Sequence, residues 1–177
     1  MKKYFILLAI APFLIGCGDS GGNSAADKEA KERALVTEST DQYTVSYPEG
    51  YTKNTEYASL FTRYENTVLD TKIDVEPNNN FPEDTKLDQK ACEALEDVVK
   101  FSSTDTVSSD TTFTDGDIQG CYMQTTSPST YDDHYDYKLY YKTGDTVVYT
   151  VRINYPKDTP QVEIDNLKKA QDAFVIK

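Results

Sequence analysis

The sequence holds a single histidine, His134, and three cysteines, Cys17, Cys92 and Cys121. A Ser-His-Asp site would have only His134 to use, and a zinc centre finds no histidine near any cysteine. The cysteines are too far apart for a C-x-x-C redox pair. No G-x-S-x-G, H-E-x-x-H or phosphate-loop motif occurs. Acids are abundant, but nothing in their spacing selects a hydrolytic carboxylate pair. Cations are scarce: 18 lysines and arginines face 30 acids, for a net charge of −12. Such a chain is a poor partner for nucleic acid or anionic lipid headgroups. It suits a cationic protein, a basic peptide or a divalent metal. The same charge also serves simply to keep an exported domain soluble. No apolar run reaches the roughly 20 residues that span a bilayer.

The first segment is nonetheless a signal. Lys2 and Lys3 precede an apolar stretch from Tyr4 to Ile15, interrupted only by Pro12. That is the layout of a secretory signal. It ends in Leu14-Ile15-Gly16-Cys17, which resembles a bacterial lipobox. The resemblance implies that the Cys17 thiol takes a diacylglyceryl group, that the chain is cut before Cys17, and that the new amino group is acylated. One acyl chain binds a bilayer at only about 10⁴ M⁻¹, whereas two or more anchor stably. The alternatives are a plain secretory signal with an incidental cysteine, or an uncleaved short anchor. In the enteric sorting rule that accompanies the lipobox, Asp directly after the cysteine retains a lipoprotein in the inner membrane. Gly18 stands there, with Asp19 next. The expected location is the bacterial cell envelope, with the outer membrane (periplasmic face or surface) favoured over the inner. Residues 1–16 carry two lysines and no acid, so their removal takes the net charge from −12 to −14.

Three regions follow: a signal peptide at 1–16, a lipidated cysteine and flexible tether at 17–40, and one domain at 41–177. The tether opens Gly18-Asp19-Ser20-Gly21-Gly22, flexible by composition. Ala25 to Val36 has helix formers but little apolar face, and no core contribution is expected before Asp41. Tyr43, Val45 and Tyr47 then alternate with polar residues, the period of a half-buried strand. A second strand should run through Leu60, Thr62 and Tyr64, and a third through Ile73 and Val75, closed by Pro77 and the asparagines after it. Leu87, Ala91, Leu95 and Val98 recur at helical spacing, predicting a helix over 85–101. A short strand is expected around 111–113 and another over Ile118 to Thr126. Tyr135 to Tyr141 and Val147 to Tyr155 read as a long hairpin around Gly144-Asp145. Thr159 and Pro160 should open a final helix, with Val162, Leu167, Ala170 and Phe174 on its apolar side. The expected class is α+β with an antiparallel sheet.

Cys92 and Cys121 remain as an even pair in an oxidising compartment. A bridge between them would be worth roughly 3.5 kcal/mol by loop-closure entropy. Two buried free thiols are the alternative.

Tyr47-Pro48-Glu49-Gly50-Tyr51 resembles the turn that closes the first strand of PsbP-like domains, with Tyr51 in place of the family's tryptophan. Val75-Glu76-Pro77 is similar to that family's third strand, and the long hairpin and closing helix with Phe174-Val175-Ile176 fit the same plan. In layout the chain is nearest to DcrB-like envelope lipoproteins. The resemblance covers roughly Asp41 to Lys177. It implies an α/β/α sandwich around an antiparallel sheet and a mostly non-enzymatic role, and it supplies no catalytic residues to carry over.

The most distinctive polar stretch contains Asp132, Asp133, His134 and Asp136 among tyrosines. These residues offer oxygen and nitrogen ligands to a metal, or stacking faces to a sugar or cation. They equally fit a solvated loop, and neighbours in an extended chain point to opposite faces. Asp105, Asp110, Asp115 and Asp117 lack calcium-loop spacing and read as turn residues. The expected function is that of a lipid-anchored envelope protein with a non-catalytic protein-binding or assembly-support role and no cofactor. Its expected partners are the bilayer, through acylated Cys17, and an envelope or cationic protein, with no nucleic acid. The alternatives are an inhibitor or immunity-type lipoprotein that neutralises a basic toxin or wall hydrolase, and a metal- or small-ligand-binding protein.

Overall fold

In chain order the strands are β1 Leu35–Ser39, β2 Tyr43–Pro48, β3 Thr52–Asn54, β4 Thr62–Asn66, β5 Thr71–Asn78, β6 Thr106–Asp115, β7 Ile118–Thr126, β8 Asp133–Lys142, β9 Val148–Pro156 and β10 Val175–Ile176. The helices are α1 Gln89–Val99 and α2 Gln161–Asp172. The computed structural model describes residues 31–78, 86–99, 106–126 and 133–177. The lipobox with Cys17, the opening of the tether, Asp105 and Asp132 lie outside the described residues. Two sheets form, in the orders β1-β2-β10 and β3-β4-β5-β9-β8-β7-β6, and every pairing is antiparallel.

The large sheet is covered on both faces. On one, Ile73, Val151 and Ile153 pack with Tyr43 and Val45 of the small sheet and with Leu167 and Phe174 at α2. On the other, Met123, Leu139 and Tyr141 pack with Leu87 and Cys92 at α1. The α+β class and the helix-flanked antiparallel sheet are therefore as expected. Burial on both sides explains one departure in the long hairpin. Asp136, which alternates with the apolar residues of β8, is 0% exposed, and Tyr140 on the same face is 5% exposed. A sheet with both faces covered does not show clean alternation.

Cys92 and Cys121 form a disulfide, with Cα atoms 5.8 Å apart and neither residue exposed. It staples α1 to β7. The Asp88 side chain opens that helix by accepting the Ala91 N–H at 2.9 Å, so regular helix begins later than the 85 expected. Pro160 rather than Thr159 stands at the N-cap of α2, with no side-chain cap bond. The Pro160 carbonyl accepts from the Glu163 and Ile164 N–H groups instead.

The largest correction lies at the start of the domain. Residues 31–40 were expected to be tether, but β1 pairs with β2 from Leu35↔Pro48 to Ser39↔Thr44. Ahead of it, the Arg33 Nε donates to Glu163 Oε2 at 3.3 Å. The Asn166 amide brackets the chain, accepting from the Arg33 N–H at 3.2 Å and donating to the Lys31 carbonyl at 2.7 Å. Glu163 is wholly buried, and Tyr51 Oη donates to its other oxygen at 2.7 Å. The motif turn is thus tied to α2 through Tyr51 and Arg33. Gly50 carries it at φ +93°, a conformation that suits glycine.

Leu60 is a further correction. It is 67% exposed in a turn held by the Leu60 and Phe61 N–H groups donating to the Tyr57 carbonyl, and β4 starts only at Thr62. The short strand expected at 111–113 extends over the whole of β6, which places Asp110 within a strand. Asp115 and Asp117 do sit at the β6–β7 turn, with Gly116 at φ +61°.

Candidate functional site

Strand register creates a groove between the β6 side of the large sheet and α2. Phe113 of β6 pairs with Gly120 of β7, which pairs with Tyr140 of β8. Gly120 has no side chain to fill the space between its neighbours. A Cβ there would lie 2.1 Å from the Phe113 ring and 2.2 Å from the Leu139 carbonyl oxygen. The Phe113 ring therefore lies across the glycine and meets Tyr140 edge-on, centroids 5.5 Å apart at 70°. Tyr140 in turn packs on Phe174 at 4.9 Å. These three rings form the floor and one wall.

Lys138 crosses the groove. Its Nζ lies 4.8 Å from the Phe113 centroid and 5.3 Å from that of Tyr140. It donates to Asp172 Oδ1 at 2.7 Å, where α2 ends. The bridge separates two basins that share Phe113, Lys138 and Asp172. The larger, about 330 Å³, is bounded by Thr111, Tyr122, Lys168 and Gln171; the smaller, about 210 Å³, by Ile118, Tyr140, Phe174 and the β10 residues. Among the described residues the strands on either side, β6 and β10, are outermost in their sheets.

Beneath the larger basin lies Asp136, fully buried. It accepts from Tyr122 Oη at 3.1 Å and from Tyr155 Oη at 3.4 Å, and Lys168 Nζ stands 3.7 Å away. Burial, and then the Asp136 charge, push the Tyr155 phenol up to about 12 and hold Tyr122 well above the usual phenol range. Tyr140 is raised as well, chiefly by burial and then by Asp172. Gln171 pins α2 to the sheet through bonds from its Nε2 to the Val151 and Asp136 carbonyls at 2.8 and 3.0 Å. Side chains under the groove are therefore held in place, with phenols that stay protonated at neutral pH.

The four residues singled out from the sequence are not gathered into one site. His134 and Asp136 share a face of β8, and the His134 ring stacks on Tyr155 at 5.5 Å. Asp133 points to the opposite face, where it lines a different pocket. Asp132 lies outside the described residues. Among the described residues no three His, Cys, Asp or Glu side chains are placed to hold a metal ion. The sequence reading missed Phe113, Lys138 and Asp172 as a unit. Gly120, a glycine inside a strand pattern, was the available sign of close approach.

No protein-family model matches the chain, and no curated protein matches it. Solved structures do. The cyanobacterial PsbP of Synechocystis sp. PCC 6803 superposes with a TM-score of 0.59 at 13% identity, over 93% of this chain and 99% of that one. The Ran-binding protein Mog1p of Saccharomyces cerevisiae superposes at 0.56 and 13%, over 82% and 96%. A protein from Bacteroides thetaiotaomicron reaches 0.51 at 9% identity, over 76% of this chain and 45% of that one. At such low identity these likenesses speak for the fold alone, and that fold is PsbP/Mog1-like: α+β, with a large antiparallel sheet and two helices.

Proposed function

We propose that this chain is a non-catalytic, lipid-anchored protein of the bacterial envelope, of DcrB-like layout, which holds an extended segment of a partner protein in the groove between β6 and β10. The observation that carries the reading is an aromatic groove with an outermost strand along each side. An outermost strand presents backbone N–H and C=O groups to an added strand, while pockets beside it select side chains. Phe113, partly buried, supplies aromatic surface over Tyr140 and Phe174, which are 5% and 4% exposed, and the Lys138–Asp172 bridge supplies one polar anchor of each sign. Asp136, the buried acid nearest the groove, already accepts from two phenols, an arrangement suited to a fixed scaffold more than to proton transfer. Mog1p is named as a Ran-binding protein. The Cys17 lipid would supply location, and the segment between it and Lys31 would supply reach.

Site-specific photocrosslinking in the native envelope tests this. A crosslinker at Thr111, exposed on β6, should capture a discrete partner, and one at Thr52, exposed on β3 at the far edge, should not. Equal capture at both positions, or none at Thr111, would refute the groove reading. The charge of −12 favours a second reading, an inhibitor of a basic toxin or wall hydrolase. That reading requires capture by the acidic surface at large, lost steeply as salt is raised.

A further inference from the structure

On the face of the large sheet opposite α2, a second pocket of about 220 Å³ opens over β4, β5 and β9. Its lining includes Arg63, Lys72, Asp74, Asp133, Arg152 and Asn154. Register sets Arg63, Asp74 and Arg152 side by side on three adjacent strands. Asp74, 3% exposed, accepts from Arg63 Nε and Nη2 at 2.7 and 2.8 Å and from Arg152 Nε at 3.2 Å, with Arg152 Nη2 on the same oxygen. The Arg63 guanidinium also lies 4.6 Å from the Tyr57 ring and 4.9 Å from the Phe61 ring, and these two rings stack on each other. One carboxylate and two aromatic faces thus fix the guanidinium groups before any ligand arrives.

A cross-strand ion ladder would account for those three residues. It does not account for Asn154 beside them. Asn154 is 5% exposed, and its Nδ2 has no hydrogen-bond partner among the described residues. An unmet buried donor is costly, and an acceptor brought to it would remove that cost. The electrostatics do not oppose this. The six named lining residues carry three cations and two carboxylates and, with Asp70 on Lys72, the pocket is close to neutral within a chain of −12. Lys72 also bonds the exposed Asp70 at 2.7 Å.

We propose that this pocket binds a small organic monoanion, a carboxylate whose charge lies against the arginine pair and towards which the buried Asn154 amide turns its Nδ2 on binding. Asp74 and Asp133 oppose a second negative charge, which selects a carboxylate over a phosphate dianion. The site is on the opposite face from the groove and stands independently of the groove's function.

The test is a two-dimensional ¹⁵N NMR titration of the whole chain with acetate, inorganic phosphate or chloride at constant ionic strength. Acetate should shift the Asn154 side-chain amide and the Arg63 and Arg152 Nε–H resonances to saturation, and chloride should not. Asn154→Leu, which removes the donor, should weaken acetate binding at least about tenfold, and Asn154→Asp should weaken it further. The Leu167 and Val45 resonances of the other face report that each variant is folded. The wild-type titration stands alone if neither variant folds. Absence of saturation with acetate would overturn the site. Phosphate saturating at lower concentration than acetate would overturn the monoanion assignment. Unchanged acetate affinity in folded Asn154→Leu would overturn the role of the amide.

Discussion

Arg33→Met is the most direct probe of where this domain begins. Arg33 lies in the stretch whose composition reads as tether, yet its side chain is 6% exposed and its partner Glu163 is 0% exposed. The substitution keeps length and apolar packing but leaves the Glu163 carboxylate without its cation. Breaking a buried ion pair from one side costs about 3–5 kcal/mol. Tyr51 Oη at 2.7 Å and Asn166 Nδ2 at 3.1 Å continue to donate to the same carboxylate, which holds the loss to the lower end. The bond from Arg33 Nη1 to the Glu49 carbonyl is exposed and adds little. The expected destabilisation is about 3 kcal/mol, read as a fall in urea midpoint without change in slope, or as roughly 6–12 °C in Tm. Adding Glu163→Gln to the same chain removes the stranded charge and should recover more than half of the loss. A single variant within about 0.5 kcal/mol of the parent, or no recovery in the double variant, would refute the claim that the pair anchors residues 31–33 to α2.

Three further outcomes are expected. Reduction of the Cys92–Cys121 bridge should cost about 3.5 kcal/mol in denaturant, while peptide mapping of oxidised protein recovers the two cysteines linked. Gly120→Ala should cost several kcal/mol, because the added Cβ meets not only the movable Phe113 ring but the fixed Leu139 carbonyl; a calorimetric shift under about 2 °C would count against that geometry. Tyr51, Tyr64, Tyr122 and Tyr140 are held above the usual phenol range chiefly by burial, and Tyr155 is pushed up to about 12. With folded pKa values above unfolded ones, stability is complete below about pH 10 and falls as pH rises past it, where only the unfolded chain sheds these protons. Tyrosinate absorbance from this group should therefore appear together with loss of the circular dichroism signal, and full ionisation of all 14 tyrosines in a folded chain near pH 10.5 would contradict the burial described.

The architecture was legible where one physical signal dominates. Tyr135 to Tyr155 shows period-2 apolarity on both arms with a glycine between, so the β8–β9 hairpin follows from local sequence. The Cys92–Cys121 bridge was expected from cysteine parity and from the oxidising compartment that the N-terminal signal implies, and the disulfide is present in the structure. β1 was not legible, because Leu35-Val36-Thr37-Glu38-Ser39 has no buried face to advertise. Its Leu35 and Val36 are 38% and 39% exposed, and its strand character comes from pairing with β2, a partner identified only once the chain is folded. β3 was missed for the same reason: Thr52 and Lys53 are exposed, and the strand exists by pairing with β4.

The polar interior was the least legible part, and it bears most on function. Glu163, Asn166 and Gln171 read as the solvated side of an amphipathic helix, yet all three are buried. α2 is not packed on a uniformly apolar surface. It spans the junction of two sheets, where β8 and β9 present carbonyls inside their ladders and the Lys31–Arg33 segment presents a carbonyl and a cation that need partners. Asp136 and Asp74 are the strand counterparts. Each occupies an alternation site that reads as outward, and each is buried because long cations or phenols from neighbouring strands close over it. Those neighbours are 78 positions apart for Asp74 and Arg152, so no local window joins them. The acidic run around His134 attracted attention by its spacing in sequence. The fold divides it between two faces, joining Asp136 to the groove beneath α2 and Asp133 to the arginine pocket, so that contiguous residues serve two surfaces while residues far apart in sequence build each one.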